Sequence, residues 1–336
     1  MTIQNKTALK DKADISSDLG RVDDRRFDKD LEALIKESED MRINRMKQHR
    51  TRGFIAMNLS IFSVLIGVAA FGWFFLMEAQ VTPAIVTLLA SFIPTAFVQV
   101  WAGRPIKTYT REHKSVFMPK LAQTLNKGLS FHPERGVSAK ILEKLAVVPA
   151  HNEYKAEDCF MGTYKGVKVI FSEARLYSKA HKDGAVFDGI FVLLETGEDV
   201  IDGHTIITAN SKMVKSYANT RWKTMNKVHI SVSDPDWDKF HIYSTKPEAA
   251  ELMIGDRLLK ELAEAADIFD NADLTAVLFG KKYVFMMIPY EKDMFEASSL
   301  FVPVATKTQA MQCKKEIEQL LEVIDVFDLY KPVSTD

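Results

Sequence analysis

Hydrophobic and polar positions change their spacing twice along this chain. From Phe27, apolar residues recur with helical spacing at Phe27, Leu31, Leu34 and Met41, while Asp28, Lys29, Glu32, Lys36 and Glu37 occupy the other faces. This pattern predicts an amphipathic stem over residues 27–52, too short for the three or four heptads of a coiled coil. The stem is expected to lie on a membrane or to pair with another stem. Two apolar runs follow, Gly53 to Met77 and Val81 to Trp101, both without Lys, Arg, Asp or Glu. Only a short turn with Glu78 and Gln80 separates them. A charge-free stretch of about 18 or more apolar residues reads as a bilayer span, so residues 53–101 are predicted to form a transmembrane helical hairpin. The first run would measure roughly 37 Å as a helix against a hydrocarbon core of about 30 Å, which predicts tilt.

Within the hairpin, Thr82 is expected to cap the second span, with Pro83 in its first turn. Pro94 is expected to bend that span by freeing the carbonyl of Ala90. Ser63 and Gly67 form a small-xxx-small pair suited to close packing. Neither span contains an ionisable residue to mark a transport pathway, so anchoring is the expected role. The 52 mostly polar residues before the first run argue against a secretory signal peptide.

After the hairpin, residues 102–150 are predicted to be a helical connector, interrupted near His132-Pro133. The spacing then falls to two. Val167, Val169 and Phe171 alternate with Lys168, Ile170 and Ser172, and further strands are expected at Ile190–Glu195, His204–Thr208, Val228–Val232 and Phe240–Ile242. A helix is expected from Thr245, with Glu248 as capping partner and a stripe of Leu252, Leu259, Leu262, Ala266 and Phe269. A hairpin around Gly280-Lys281 and a last helix from Thr306 complete the pattern, Cys313, Ile317, Leu320, Ile324 and Phe327 facing the sheet. Residues 151–330 therefore read as an α+β domain, mainly antiparallel with appended helices. The polar tails, 1–26 and 331–336, are expected to add nothing to it, and residues 1–26 are expected to be disordered.

Charge changes this picture in one respect. The whole chain has a net charge of −1 and a mean hydropathy of −0.09, averages that hide the hairpin. Residues 121–336 hold 26 Lys and Arg against 32 Asp and Glu, which argues against nucleic acid as a partner. Bases flank the spans: Arg42, Arg45, Lys47, Arg50 and Arg52 before them, and Arg104, Lys107, Arg111 and Lys114 after them. The intervening turn has neither Lys nor Arg. By the positive-inside rule both termini are expected in the cytoplasm, with the α+β domain at the inner face.

Candidate chemistry is sparse. No phosphate-binding glycine loop, nucleophile elbow or HExxH stands in the sequence, and no catalytic, metal or cofactor site is expected. His229 and His241 lack a third ligand. Cys159, beside Glu157 and Asp158, would have its thiol pKa raised by those carboxylates. Two distant cysteines suit a reducing compartment. One interval stands out: between Asp202 and Asp234 no acidic residue occurs, while Lys212, Lys215, Arg221, Lys223 and Lys227 do, with Trp222 among them. This basic patch is expected to face lipid or a partner, with Trp222 at headgroup level.

Several short segments resemble the bacterial "domain of unknown function 3137" proteins. These are Tyr154-Lys-Ala-Glu157-Asp158, Gly162, Gly166, Glu173 and Phe187-Asp-Gly189-Ile-Phe191, followed by Asp238-Lys-Phe240-His-Ile-Tyr243-Ser-Thr and Glu248-Ala-Ala. The resemblance covers about residues 100–330 and implies a bacterial inner-membrane protein with a preceding hairpin. It implies no activity. The expected role is a membrane-anchored interaction module whose partners are membrane lipid, a protein or a second copy of the chain. The alternatives are a membrane-tethered small-ligand sensor and an enzyme with an unfamiliar site.

Overall fold

The computed structural model describes residues 24–180, 184–196, 201–218, 220–230, 235–296, 299–302 and 307–326. The expected disordered tail at 1–26 lies mostly outside the described residues, as does the tail at 331–336. Internal contacts divide the chain into two units. One comprises Glu32–Phe117 with Ala297–Ala310; the other comprises Met118–Glu296 and Met311–Asp336 together with Met1–Leu31.

The first unit is helical. Helix α1 (Asp24–Gly72) runs through the charged stem and into the first apolar run without a break, then tightens into a π-helical turn at Trp73–Met77. At 1.5 Å per residue, a helix of 49 residues is about 74 Å long. The second span divides into α2 (Val81–Ala90) and α3 (Phe92–Glu112). Gln80 rather than Thr82 occupies the N-cap of α2, which leaves Pro83 in the first turn. The helix is interrupted at Ser91, directly after Ala90, the residue whose carbonyl the missing N–H of Pro94 leaves without its i+4 donor. A second π-helical turn, His113–Phe117, follows α3.

Small and polar groups hold the two spans together. Ser63 Oγ donates to Ser91 O at 2.8 Å, and Gln99 Nε2 donates to Ser60 Oγ at 3.3 Å. A Cβ on Gly67 would collide with Cβ and Oγ of Ser91, so only glycine allows this approach. Ala56 and Ala84 are fully buried, whereas Phe62, Leu65, Leu89 and Phe97 are exposed. Only 6% of each apolar window is buried within the protein, the reverse of a soluble core helix. Both helices are long and apolar enough to cross a membrane.

The second unit is built on one nine-stranded antiparallel sheet, which bears out the α+β expectation. Its strands are β1 (Leu129–His132), β2 (Glu153–Tyr164), β3 (Val167–Tyr177), β4 (Ala185–Glu195), β5 (Ile201–Thr208), β6 (Asn226–Val228), β7 (His241–Ser244), β8 (Thr275–Lys281) and β9 (Tyr283–Pro289). They lie in the order β1-β2-β3-β4-β9-β8-β5-β7-β6, so β1 and β6 form the edges. Residues 102–150, expected to be a helical connector interrupted near His132-Pro133, supply β1 at that interruption as well as α4 (Met118–Leu125) and α5 (Ala139–Leu145). Strand β2 bulges at Asp158, where φ is +49° and the pairing with β3 shifts register.

Along β4, Phe191 and Leu193 point to one face and Val192 and Leu194 to the other, and all four are buried. The first face packs on Leu142, Leu145, Val147 and Val148 from α5 and the segment after it. The stretch expected as one helix from Thr245 is two, α7 (Pro247–Met253) and α8 (Asp256–Ile268). Ile254 turns inward in extended conformation between them and is 1% exposed. Leu252, placed on the buried stripe by periodicity, is 88% exposed as a result. Thr245 does not cap a helix; its hydroxyl accepts from His204 N at 2.9 Å. Helix α9 (Lys307–Val326) buries Cys313, Ile317, Leu320 and Ile324. It is tied to the β2–β3 turn where Asp325 meets Lys165 at 2.7 Å.

Candidate functional site

The cations of the 202–234 interval are held on a rigid base. Helix α6 (Ser211–Tyr217) begins where Asn210 Oδ1 accepts from Met213 N at 3.0 Å, a side-chain cap that fixes the first turn. Met213 faces the core while Lys212 and Lys215 are exposed. The chain then turns through Arg221, Trp222 and Lys223 into edge strand β6, which carries Lys227. Lysine on a sheet edge also discourages pairing with a foreign strand. All five cations are exposed. Arg221 stacks over the Tyr217 ring at 5.2 Å and donates to Val148 O.

Trp222 corrects the sequence expectation. It is 1% exposed, its Nε1 donates to Ala146 O at 2.9 Å, and its ring lies 4.8 Å from that of Tyr243. The core supplies both the apolar contact and the acceptor that an indole seeks, so it does not sit at a membrane headgroup level. It is the pin under the basic surface rather than part of it. Tyr243 packs inward with it. The neighbouring His229 is exposed and His241 half-buried, and among the described residues no three His, Cys, Asp or Glu side chains converge as metal ligands would.

The bases flanking the spans divide into two groups. Arg42 binds Glu39 at 2.6 Å and donates from Nη1 to Leu300 O at 2.9 Å. Arg45 donates from Nε to Glu112 at 2.9 Å and from Nη1 to Gln48 at 2.8 Å. Their carboxylate partners hold both guanidiniums above the ordinary arginine range. Arg52 stacks over Trp101 at 5.1 Å, joining α1 to α3 where the apolar runs begin and end. Lys47, Arg50, Arg104, Lys107 and Arg111 are exposed, and Lys114 is half-buried.

Two features escaped the sequence pattern. His113 is 1% exposed and stacks on Phe117 at 4.7 Å; burial, helped by Lys114, pushes its pKa down to about 4. Neither ring nitrogen has a hydrogen-bond partner among the described residues. The second is a cleft of about 900 Å³ beside α8 and α9, lined by Tyr164, Tyr290, Lys292, Met294, Glu316 and Asp325 among others. Its charges are largely committed: Lys292 meets Asp270 at 2.5 Å, Asp293 pairs with Arg175, and Glu316 accepts from Phe295 N at 2.9 Å. Both thiols are inert by burial, which pushes Cys159 and Cys313 up to about 12.

Residues 185–329 match the family described as "Protein of unknown function (DUF3137)". This match supports membership of that family. The match runs from β4 to the end of the described α9, narrower than the 100–330 of the resemblance. No curated protein and no solved structure matches the chain.

Proposed function

We propose that this member of the family is a membrane-anchored interaction module. In this reading the hairpin spans a bacterial inner membrane, both termini are cytoplasmic, and the exposed cations around α6 and β6 hold the α+β domain to anionic lipid. The orientation rests on the bases that flank both spans and on their absence from the turn. The observation that carries the docking reading is Lys212, Lys215, Arg221, Lys223 and Lys227, exposed on one continuous segment with no carboxylate paired to them among the described residues. Beside an anionic leaflet each such base contributes about 1 kcal/mol, so five suffice to orient a tethered domain.

The test is hydrogen exchange on the full chain in nanodiscs of neutral or anionic lipid. Residues 211–228 are expected to exchange more slowly on anionic lipid, and changing Lys212, Lys215, Lys223 and Lys227 to Gln is expected to remove the difference. Equal exchange in both lipids overturns the reading. Protection that appears only when another protein is added transfers the surface to a protein partner. A ligand-sensor reading rests on the cleft beside α8 and α9, whose volume of about 900 Å³ falls in the range of small-molecule sites. A ligand held there would raise the melting temperature of the full chain.

A further inference from the structure

The structure returns a piece of the family region to the hairpin. Ala297–Ala310, part of the connection between β9 and α9 together with the first turn of α9, is grouped with the helical unit and not with the sheet. Within it Ser299–Val302, the described residues ahead of α9, are clamped at one end. Leu300 is 1% exposed and packs with Tyr109, Met46 and Ile106, while its carbonyl accepts from Arg42 Nη1 at 2.9 Å. Beyond that clamp the backbone turns, with Val302 N donating to Ser299 O at 3.0 Å and Phe301 N to Ser299 Oγ at 3.3 Å. The turn presents two apolar side chains outward: Phe301 is 56% exposed and Val302 51% exposed.

Its height along the helices is fixed by His49. The Phe301 ring lies 5.5 Å from the His49 ring, edge to face, and His49 Nδ1 is 3.1 Å from Ala102 O. His49 stands four residues before Gly53, about 6 Å along the helix. Ala102 directly follows Trp101, the end of the second apolar run. The exposed pair therefore sits where apolar helix surface gives way to a collar of cations, with Arg50 and Arg104 exposed and Arg52 half-buried over Trp101. An apolar tip beside basic residues is the composition of an interfacial membrane contact: rings and branched side chains enter the acyl boundary while cations meet anionic headgroups.

We propose that Phe301 and Val302 form a third membrane contact, dipping into the headgroup–acyl boundary beside the hairpin. The occupant of this apolar surface is lipid, argued from its level beside the ends of the two apolar runs, where Phe54, Ile55, Phe97 and Val100 are exposed, and from the exposed Arg50 and Arg104 at that same level. The connection between β9 and α9 is then tethered at the membrane, in addition to the tether through α3. The inference rests on the reading that the hairpin crosses a bilayer.

The test uses the full chain reconstituted in vesicles containing anionic lipid, with an environment-sensitive fluorophore at one cysteine. Phe301→Cys reads the tip, Leu65→Cys reads the middle of the first span, and Leu252→Cys, exposed on the other unit, reads water. The native thiols are buried, so the unsubstituted chain supplies the background. The expected result is a blue-shifted emission at position 301 that loses intensity to shallow nitroxide lipids, with position 65 quenched by deep ones. Water-like, unquenched emission at 301 while 65 remains quenched overturns the inference and leaves the hairpin reading intact. A 301 probe shielded from both lipid quenchers and aqueous iodide overturns it in favour of a protein cover. Loss of quenching at 65 overturns both readings together.

Discussion

The Arg52 guanidinium stands 5.1 Å from the centre of the Trp101 ring, pinning the start of one apolar run to the end of the other. Such a contact is worth about 0.5–2 kcal/mol depending on desolvation. A double-mutant cycle of Arg52→Gln and Trp101→Leu, read by unfolding in detergent, is expected to show a coupling energy in that range. Additive effects would mean the two side chains do not cooperate.

The hairpin seam offers a sharper test. Any Cβ on Gly67 meets Ser91, so Gly67→Val is expected to destabilise the paired helices by about 1–3 kcal/mol through overpacking. Ser63→Ala removes one hydrogen bond to Ser91 O and is expected to cost less, on the order of 0.6 kcal/mol under the proposed placement of the hairpin in lipid. Unfolding by graded detergent measures both. A Gly67→Val chain as stable as its parent would remove Ser91 from the interface.

Trp222 and Lys223 are adjacent in sequence and opposite in role. Trp222→Ala is expected to destabilise the sheet unit by about 3–5 kcal/mol, since it empties a buried indole site and strands the Ala146 carbonyl. Lys223→Gln, at an exposed position, is expected to change stability by less than about 0.5 kcal/mol. Denaturant melts of the two variants distinguish the pin from the surface it supports.

His113 makes a pH prediction. Its folded pKa, about 4, lies below the ordinary 6.5, so the unfolded chain binds the proton first. Stability is therefore full above pH 6.5 and falls as pH drops from 6.5 toward 4, by about 3 kcal/mol at most from this group. His113→Phe, which keeps the stack on Phe117, is expected to flatten that part of the pH profile. An unchanged profile would assign the acid sensitivity to other groups.

Burial protects the cysteines by the same physics. Cys159 and Cys313 are expected to resist maleimide at pH 8 in the folded chain and to react once it unfolds. Rapid labelling of either without unfolding would contradict their placement in the core.

The sequence made the large elements readable because their signals are long and uniform. Two charge-free runs produced two apolar helices, and alternation such as Val167–Lys168–Val169 produced β3. Single-residue decisions were harder to read. Periodicity put Leu252 on a buried stripe, but Ile254 and Gly255 break the helix, since Ile254 gains more by turning into the core. Trp222 lies among bases in sequence, and only the tertiary position of Ala146 and Tyr243 draws it inward. Leu300 shows the same limit, because nothing local says that Tyr109, Ile106 and Met46, far earlier in the chain, will bury it.

The central claim is that the two apolar helices cross a bilayer and leave both chain ends on one side. The most direct measurement places a paired reporter, active as a phosphatase outside and as a fluorescent protein inside, either after Ala79 in the turn or after Asp336. The account predicts phosphatase activity at the turn and fluorescence at Asp336. Fluorescence at both sites, or phosphatase activity at Asp336, would contradict it.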